Sequence, residues 1–131
     1  MSVDPVAVQP KAFCLAVGGY PTGTSVVVWR RGVVRYVPPM SKIGDADNRL
    51  IVPTAEECAA FARVLRRIRV CDWDERYEFP EICDGTQWRL LVDWPGLARV
   101  RARGSNEYPP RFGVLLKAVG ALTRGAFAEQ I

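Results

Sequence analysis

The feature that most constrains this chain is an alternation of side-chain character in its C-terminal third. Every second residue from 88 to 94 is large and apolar, namely Trp88, Leu90, Val92 and Trp94. Because successive side chains of a β-strand point to opposite faces of a sheet, the run Thr86–Trp94 is predicted to be a half-buried strand. Pro95 and Gly96 then favour a turn. A second strand, Leu97–Arg103, is expected to complete a hairpin.

The residues that follow this hairpin predict a helix. Apolar residues recur at helical spacing, and this stripe comprises Phe112, Leu115, Leu116, Val119 and Leu122. Pro109 and Pro110 suit the first turn of a helix, where backbone amides lack intrahelical partners. The helix is therefore expected to begin at the two prolines and to end at Thr123–Gly125.

The first half of the chain follows the same plan. Thr24–Arg30 and Val33–Val37 flank a tight Arg31-Gly32 turn and are predicted to form a hairpin, preceded by a strand over Lys11–Val17. Thr54 and Glu57 have the spacing of a capping box, which marks a helix start. An apolar stripe follows at helical spacing, comprising Cys58, Phe61, Ala62, Leu65 and Ile68.

Together these elements predict an α+β fold. We expect a mostly antiparallel sheet of about five strands, with two amphipathic helices on one face, built from two successive hairpin–helix units. Residues 1–11 are expected to be a loose N-terminal tail, residues 12–124 a single α+β domain, and residues 125–131 a C-terminal tail. The 131-residue length is that of one domain.

Composition disfavours several classes of protein. No apolar run reaches the ~18 residues that a membrane span needs, and the N-terminus lacks the pattern of a secretory signal, so we expect a cytoplasmic protein without membrane contact. The four cysteines are widely spaced with no C-x-x-C pair, which argues against a zinc site. Without a secretory signal, disulfides are also disfavoured. We expect no cofactor.

From residue 84 onward the chain resembles a group of small, single-domain bacterial proteins of uncharacterised function. The residues that carry the resemblance are Asp84, Gly85, Trp88, Gly104, Asn106, Tyr108, Pro109 and Phe112. They match an Asp-Gly-x-x-Trp strand start followed by Gly-x-Asn-x-Tyr-Pro before a helix with an early phenylalanine. The resemblance covers about a third of the chain. It implies an α+β fold of this layout and supplies no activity.

Catalytic chemistry finds little support in the sequence. Histidine, the commonest general base, is absent, and no nucleophile-elbow, phosphate-loop or zinc-protease motif is present. Asp72, Asp74 and Glu75 are the acids that a small carboxylate-based enzyme would use, but Asp-x-Asp alone is a weak metal-binding pattern. We therefore expect a protein that is not an enzyme.

Two surfaces are candidates for binding. Arg99, Arg101 and Arg103 fall on one face of the second hairpin strand, and Arg89 is expected to join them. This face is either a solvated surface or one that binds phosphates or a protein partner. The second candidate is the segment carrying Trp73, Tyr77 and Phe79 among acidic residues.

Two residues of the hairpin–helix joint have both structural and functional interpretations. Asn106 is expected to cap the second helix or, with that helix start, to hold an anion. Tyr108 is expected to pack on Trp88. Taken together, these candidate sites favour a non-catalytic binding module that recognises another protein in a regulatory, inhibitory or immunity-type role. Nucleic-acid or phosphate-ligand binding through the arginines is the alternative.

Overall fold

The computed structural model describes residues 9–19, 22–78 and 85–127. Within these residues the chain forms seven strands, two α-helices and a short 3-10 helix, Val70–Asp72. The strands are β1 (Ala12–Gly19), β2 (Gly23–Arg30), β3 (Val33–Val37), β4 (Arg49–Ile51), β5 (Arg76–Glu78), β6 (Gln87–Asp93) and β7 (Val100–Ser105). The helices are α1 (Ala55–Arg67) and α2 (Phe112–Leu122).

The strands form one sheet in the order β4-β3-β2-β1-β6-β7-β5. Every neighbouring pair is antiparallel except β5 and β7, which are parallel. The predicted α+β class and mostly antiparallel sheet are confirmed, but the expected count of about five strands is too low. The two additional strands, β4 and β5, have three residues each, which is too short for alternation to be recognised in the sequence.

The core lies between one face of the sheet and the two helices. We call this face of the sheet the inner face. Phe61 of α1 packs edge-on against Phe13 and Trp29, with ring centroids 4.9 and 5.8 Å apart. Phe112 of α2 lies 4.7 Å from the ring of Trp88. The strand register places Phe13, Trp29 and Trp88 on the same side of the sheet, so both helices pack on that side.

Helix α1 begins as the sequence predicts. The Thr54 hydroxyl accepts from the Glu57 amide at 3.1 Å, and the Glu57 carboxylate accepts from the Thr54 amide at 2.9 Å. The predicted apolar stripe of this helix is buried throughout, comprising Cys58, Phe61, Ala62, Leu65 and Ile68. The capping box and the stripe are therefore both confirmed.

Helix α2 begins two residues after the prolines that were expected to start it. Its first residue is Phe112, and Arg111 before it is left-handed with φ 65°. Proline disfavours the helical conformation in the residue before it, so Pro110 keeps Pro109 out of the helix. The Phe112 amide instead donates to the Pro109 carbonyl at 3.2 Å, which closes a turn. The predicted buried stripe is confirmed, since all five of its residues are buried.

Residues at the inner ends of the two predicted tails contact the sheet and α2. Pro10 is buried, and the Lys11 amide donates to the Asp93 carbonyl at 2.6 Å. Phe127 is buried, with its amide donating to the Thr123 hydroxyl at 3.0 Å. Residues 1–8 and 128–131 lie outside the described residues. No helix in the described part of the chain is long and apolar enough to cross a membrane.

Candidate functional site: the outer face of the sheet

The face of the sheet opposite the helices carries a group of exposed arginines. Arg89 on β6 lies directly opposite Arg103 on β7, and Arg76 on β5 lies beside Arg103 on its other side. Arg101 lies on the same face, opposite Leu91. We call this the outer face, and we call Arg76, Arg103, Arg89 and Arg101 the arginine group; all four are exposed.

Three of the four members were predicted from sequence, and Arg76 was missed. Arg89, Arg101 and Arg103 share the expected face, because the predicted alternation of β6 and β7 has the correct phase. Arg76 joins them only through the parallel pairing of the three-residue strand β5. Charged and aromatic residues alternate over the four residues 76–79, but nothing in this pattern indicates that the segment pairs with β7.

Arg99, the fourth arginine predicted from sequence, lies just before β7. Its guanidinium Nη2 is 3.7 Å from the Asp93 carboxylate, and its side chain is about half exposed. Exposed pairs at this distance contribute little stability, so the contact chiefly orients Arg99 toward the end of β6. Among the described residues, neither Arg89 nor Arg101 has an ion-pair partner.

A shallow hollow lies at one end of the β6–β7 pair on the outer face. Arg89 and Arg103 lie directly opposite each other there, and like charges in this position are destabilising. The next pair toward the strand end on the same face is Gln87 and Ser105. These four side chains border the hollow, which has a volume of about 260 Å³. The hollow lies on the outer face, because the inner side of these strands is filled by the Trp88 indole. The indole lies so close to Gly104 that a Cβ there would overlap its Nε1. The hollow thus combines two guanidinium groups with neutral hydrogen-bonding groups.

A strip of small and branched apolar residues lies beside the arginine group. We call Cys14, Ala16, Val26, Val28 and Leu91 the apolar strip; the register places them next to one another on β1, β2 and β6. All five are half-buried, and no helix of the described chain packs on this face. Burial raises the pKa of the Cys14 thiol, with Arg30 acting in the opposite direction, so this cysteine stays protonated at neutral pH. The strip therefore presents an uncharged apolar surface.

A second recess lies where β7 enters the sheet. This groove, of about 460 Å³, has Cys71, Trp73 and Glu75 on one wall and residues 97–101 on the other. It opens beside Arg99 and Arg101, and it therefore adjoins the arginine group. The groove was not anticipated from sequence, because its two walls are brought together only by the placement of β5.

Trp73 and Tyr77, which the sequence offered as a contact surface, pack mainly toward the core. Trp73 lies edge-on to Trp88 at 6.5 Å, and Tyr77 lies 5.9 Å from the same indole. Both are half-buried, and the Tyr77 hydroxyl accepts from the Asp74 amide at 2.8 Å. Their rings therefore stabilise the inner face. Phe79, the third aromatic of that segment, lies outside the described residues.

Asn106 does not cap α2, which corrects the sequence-based expectation. It adopts the left-handed conformation with φ 58°, and its side-chain oxygen accepts from the Thr86 amide at 3.2 Å. The Asn106 amide donates to the Thr86 carbonyl at 3.0 Å. Asn106 therefore ties the end of β7 to the start of β6, six residues before the helix. Asp84, the first residue of the sequence resemblance, lies outside the described residues.

Tyr108 packs on the first residue of α2. Its ring centroid lies 5.2 Å from that of Phe112, which in turn contacts Trp88. Trp88 itself is held by a different contact, in which its indole Nε1 donates to the Glu107 carbonyl at 2.9 Å. The residues of the hairpin–helix joint thus serve to position Trp88 in the core.

The acidic residues considered for catalysis do not form a metal-binding group in the described part of the chain. Asp72 forms an ion pair with Arg69 at 2.9 Å, and Asp74 and Glu75 are exposed. Within residues 9–19, 22–78 and 85–127, no group of three or more His, Cys, Asp or Glu residues could hold a metal ion. Cys14, Cys58 and Cys71 are free thiols, and Cys83 lies outside the described residues.

Comparisons with known proteins add no further constraint. No protein-family model matches this sequence, and no curated protein matches it. The geometry of the outer face is therefore the basis for assigning a function.

Proposed function

We propose that this protein is a non-catalytic binding domain that recognises another protein through the outer face of its sheet. The observation that carries the proposal is the pairing of the apolar strip with exposed arginines on a face that no described helix covers. Arg89 and Arg101 stand there without ion-pair partners among the described residues.

This combination is typical of protein interfaces. Their centres exclude water from apolar side chains, and arginine is enriched in them relative to the rest of a protein surface. Charge of one sign on one face also raises the rate at which an oppositely charged partner associates. A partner suited to this face has an acidic surface that borders a small apolar patch.

The structure also bears on the alternative of nucleic-acid binding. Proteins that bind single strands usually stack bases on exposed aromatic rings. Among the described residues, the aromatic side chains of the sheet lie on the inner face, where Trp29, Tyr36, Tyr77 and Trp88 contribute to the core. The outer face therefore offers arginines without a stacking platform, which favours a protein partner over a single-stranded nucleic acid.

The biological role that we infer is regulatory, inhibitory or of the immunity type, carried out in the cytoplasm. Its support is the small size of the chain, the segregation of its basic residues, and the scarcity of catalytic side chains in the sequence. The resemblance of the C-terminal third to small bacterial proteins is compatible with this role and adds no partner.

The experiment that tests the proposal is a charge reversal on the outer face. A partner is first isolated by crosslinking and affinity purification, and its affinity for the purified protein is then measured by calorimetry. Arg89→Glu combined with Arg101→Glu is expected to weaken binding at least about tenfold, which corresponds to about 1.4 kcal/mol. Arg63→Glu combined with Arg67→Glu, which makes the same charge change on exposed positions of α1, is the matched control.

Equal affinity for the wild type and the outer-face variant would contradict the proposal, as would equal loss in the control. Retention on a heparin column distinguishes nucleic-acid binding, the alternative function, from protein recognition. A nucleic-acid-binding face predicts retention that falls steeply with salt and that the outer-face variant loses. A face that recognises only protein predicts early elution of both forms.

A further inference from the structure

One edge of the sheet is only half paired among the described residues. The outermost strand, β5, pairs through Arg76–Glu78 with residues 103–105 of β7. β7 begins earlier, at Val100. The first half of its free edge therefore has no neighbouring strand in the part of the chain that the structure describes.

The backbone groups along this edge point away from β6. The Arg103 amide donates to the Glu75 carbonyl on the β5 side at 2.9 Å. Because backbone direction alternates along a strand, the amide and carbonyl of Arg101 point to the same side. None of the hydrogen bonds between described residues involves the Arg101 amide or carbonyl on that side.

The unpaired edge faces the groove of about 460 Å³ described above. Arg101 lies on the outer-face side of this groove, while Trp73 and Val100 lie on the inner side. An extended segment placed along the edge would alternate its side chains between these two environments. One set would face arginine and the other would face apolar surface.

The chain's own preceding segment is held away from this edge. Arg69 and Asp72 form an ion pair at 2.9 Å that closes the 3-10 helix, and the Trp73 ring packs on Trp88 and Phe112. The Asp74 amide donates to the Tyr77 hydroxyl at 2.8 Å. These contacts divert residues 70–74 toward the core, so the groove between them and β7 stays open.

We propose that an extended segment of the partner protein occupies this groove and pairs with β7 as an added strand. Exposed sheet edges bind peptides in this way, with backbone hydrogen bonds providing affinity and alternate side chains providing specificity. The segment that fits alternates acidic residues, which face Arg101, with apolar residues, which pack on Trp73 and Val100. This inference rests on the proposed function, since it names the kind of partner segment.

The test uses a short synthetic peptide that alternates glutamate and valine, with binding followed by fluorescence anisotropy. Two N-methylated forms of it are compared, one methylated at the glutamates and one at the valines. Only one of the two sets of peptide amides can face β7, so one form is expected to lose at least about tenfold in affinity and the other to bind as the parent does. In the protein, hydrogen exchange at the Arg101 amide is expected to slow when the peptide binds.

Two variants of Arg101 separate the backbone contribution from the side-chain contribution. Arg101→Ala removes the charge and keeps the edge amide, and it is expected to weaken binding. Arg101→Pro removes an amide that the ladder with β6 does not use, and it is expected to weaken binding further. If Arg101→Pro fails to fold, the N-methylated peptides still decide the question.

The inference is overturned if the parent peptide does not bind up to about 1 mM, or if both methylated forms behave alike. Such a result leaves the proposed function standing when the outer-face charge reversal still weakens binding of the isolated partner. Conversely, if the charge reversal has no effect on partner affinity, the proposed function fails, whatever the peptide does.

Discussion

The two faces of this sheet are built from the same strands, and their chemistry is opposite. Along β6, Trp88, Leu90 and Val92 are almost completely buried, whereas Arg89 between them is exposed. Along β7, Ala102 is buried and its neighbours Arg101 and Arg103 are exposed. The buried side chains of the inner face stabilise the fold, whereas little packing depends on the exposed arginines of the outer face, the face that we propose for recognition.

The residues that are most distinctive in the sequence belong to the inner face. Gly104 lets β7 approach the Trp88 indole, and the Glu107 carbonyl receives the indole N–H. Asn106 links the strand ends through Thr86. The outer face, by contrast, carries residues that form no distinctive sequence pattern, mostly arginines and small or branched apolar residues. Rarity of a sequence pattern therefore marks structural constraint here, and function is better sought on the plainer side.

The largest expected effect on stability, and the first test of the difference between the two faces, comes from truncating the Trp88 side chain. Trp88→Ala is expected to lower the free energy of unfolding by about 3–5 kcal/mol, because it removes a buried ring at the centre of an aromatic cluster. Urea denaturation measures it, and the neighbouring change Arg89→Ala is the control. A loss below about 1 kcal/mol would mean that the inner face contributes less than its burial implies.

A smaller decrease in the free energy of unfolding is expected from Gly104→Ala. The added methyl group would overlap the Trp88 indole and the Glu107 carbonyl, so the aromatic ring or the backbone must shift. Overpacking of this kind costs about 1–3 kcal/mol, measurable by the same denaturation. Ser105→Ala, one residue along on the outer face, is the matched control and should be nearly neutral. Equal effects at the two positions would contradict the distinction between the faces.

The helices that cover the inner face are joined at their ends by a charged contact with a pH-dependent contribution. The Arg124 guanidinium donates to both carboxylate oxygens of Glu57, at 2.8 and 3.2 Å. Hydrogen bonds from the Arg124 side chain and then from the Thr54 amide lower the Glu57 pKa from 4.5 to about 2. Because folding favours the ionised carboxylate, its contribution is complete above pH 4.5 and is lost as pH falls toward 2.

The corresponding measurement compares melting temperatures of wild type and Glu57→Gln between pH 7 and pH 2. The wild type is expected to melt at the higher temperature at pH 7, and the difference in melting temperature should decrease as the carboxylate becomes protonated. The effect is expected to be small, since Glu57 is only half-buried, Arg124 is exposed, and ion pairs in contact with solvent are screened. A gap that stays constant across this pH range would show that the ionised carboxylate contributes nothing beyond the glutamine.

The smallest expected effect comes from the outer face itself. Arg89→Ala combined with Arg101→Ala should change the free energy of unfolding by no more than about 0.5 kcal/mol, with relief of the Arg89–Arg103 repulsion as the favourable contribution. The double variant Leu90→Ala with Val92→Ala, on the inner face of the same region, is the contrasting control. A large loss in the arginine variant would assign these side chains to stability and weaken the case for a binding surface.

Local patterns were sufficient to predict much of the architecture. The alternation of β6, the capping box at Thr54 and Glu57, and the apolar stripes of both helices are all determined by residues close together in the chain. Their physical basis is the fixed period of each element, two for a strand and 3.6 for a helix. The same alternation placed Arg89, Arg101 and Arg103 on the outer side of the sheet.

Contacts between distant residues were decided only by the tertiary structure. β5 has only three residues, and its parallel place beside β7 comes from packing of Trp73 and Tyr77 on Trp88. That placement adds Arg76 to the arginine group and leaves the half-open edge at Arg101. Asn106 likewise finds its partner at Thr86, twenty residues earlier, instead of in the helix that follows it.

The sequence by itself thus determined which residues of the long strands and the helices are inside, and the tertiary structure decided which surfaces are left open. A local period specifies the face on which a side chain lies, because it depends only on backbone geometry. The groove beside β7 depends on where a short segment packs, and that is set by contacts between aromatic rings distant in sequence. Contacts between residues so far apart in the chain cannot be predicted from the local sequence pattern.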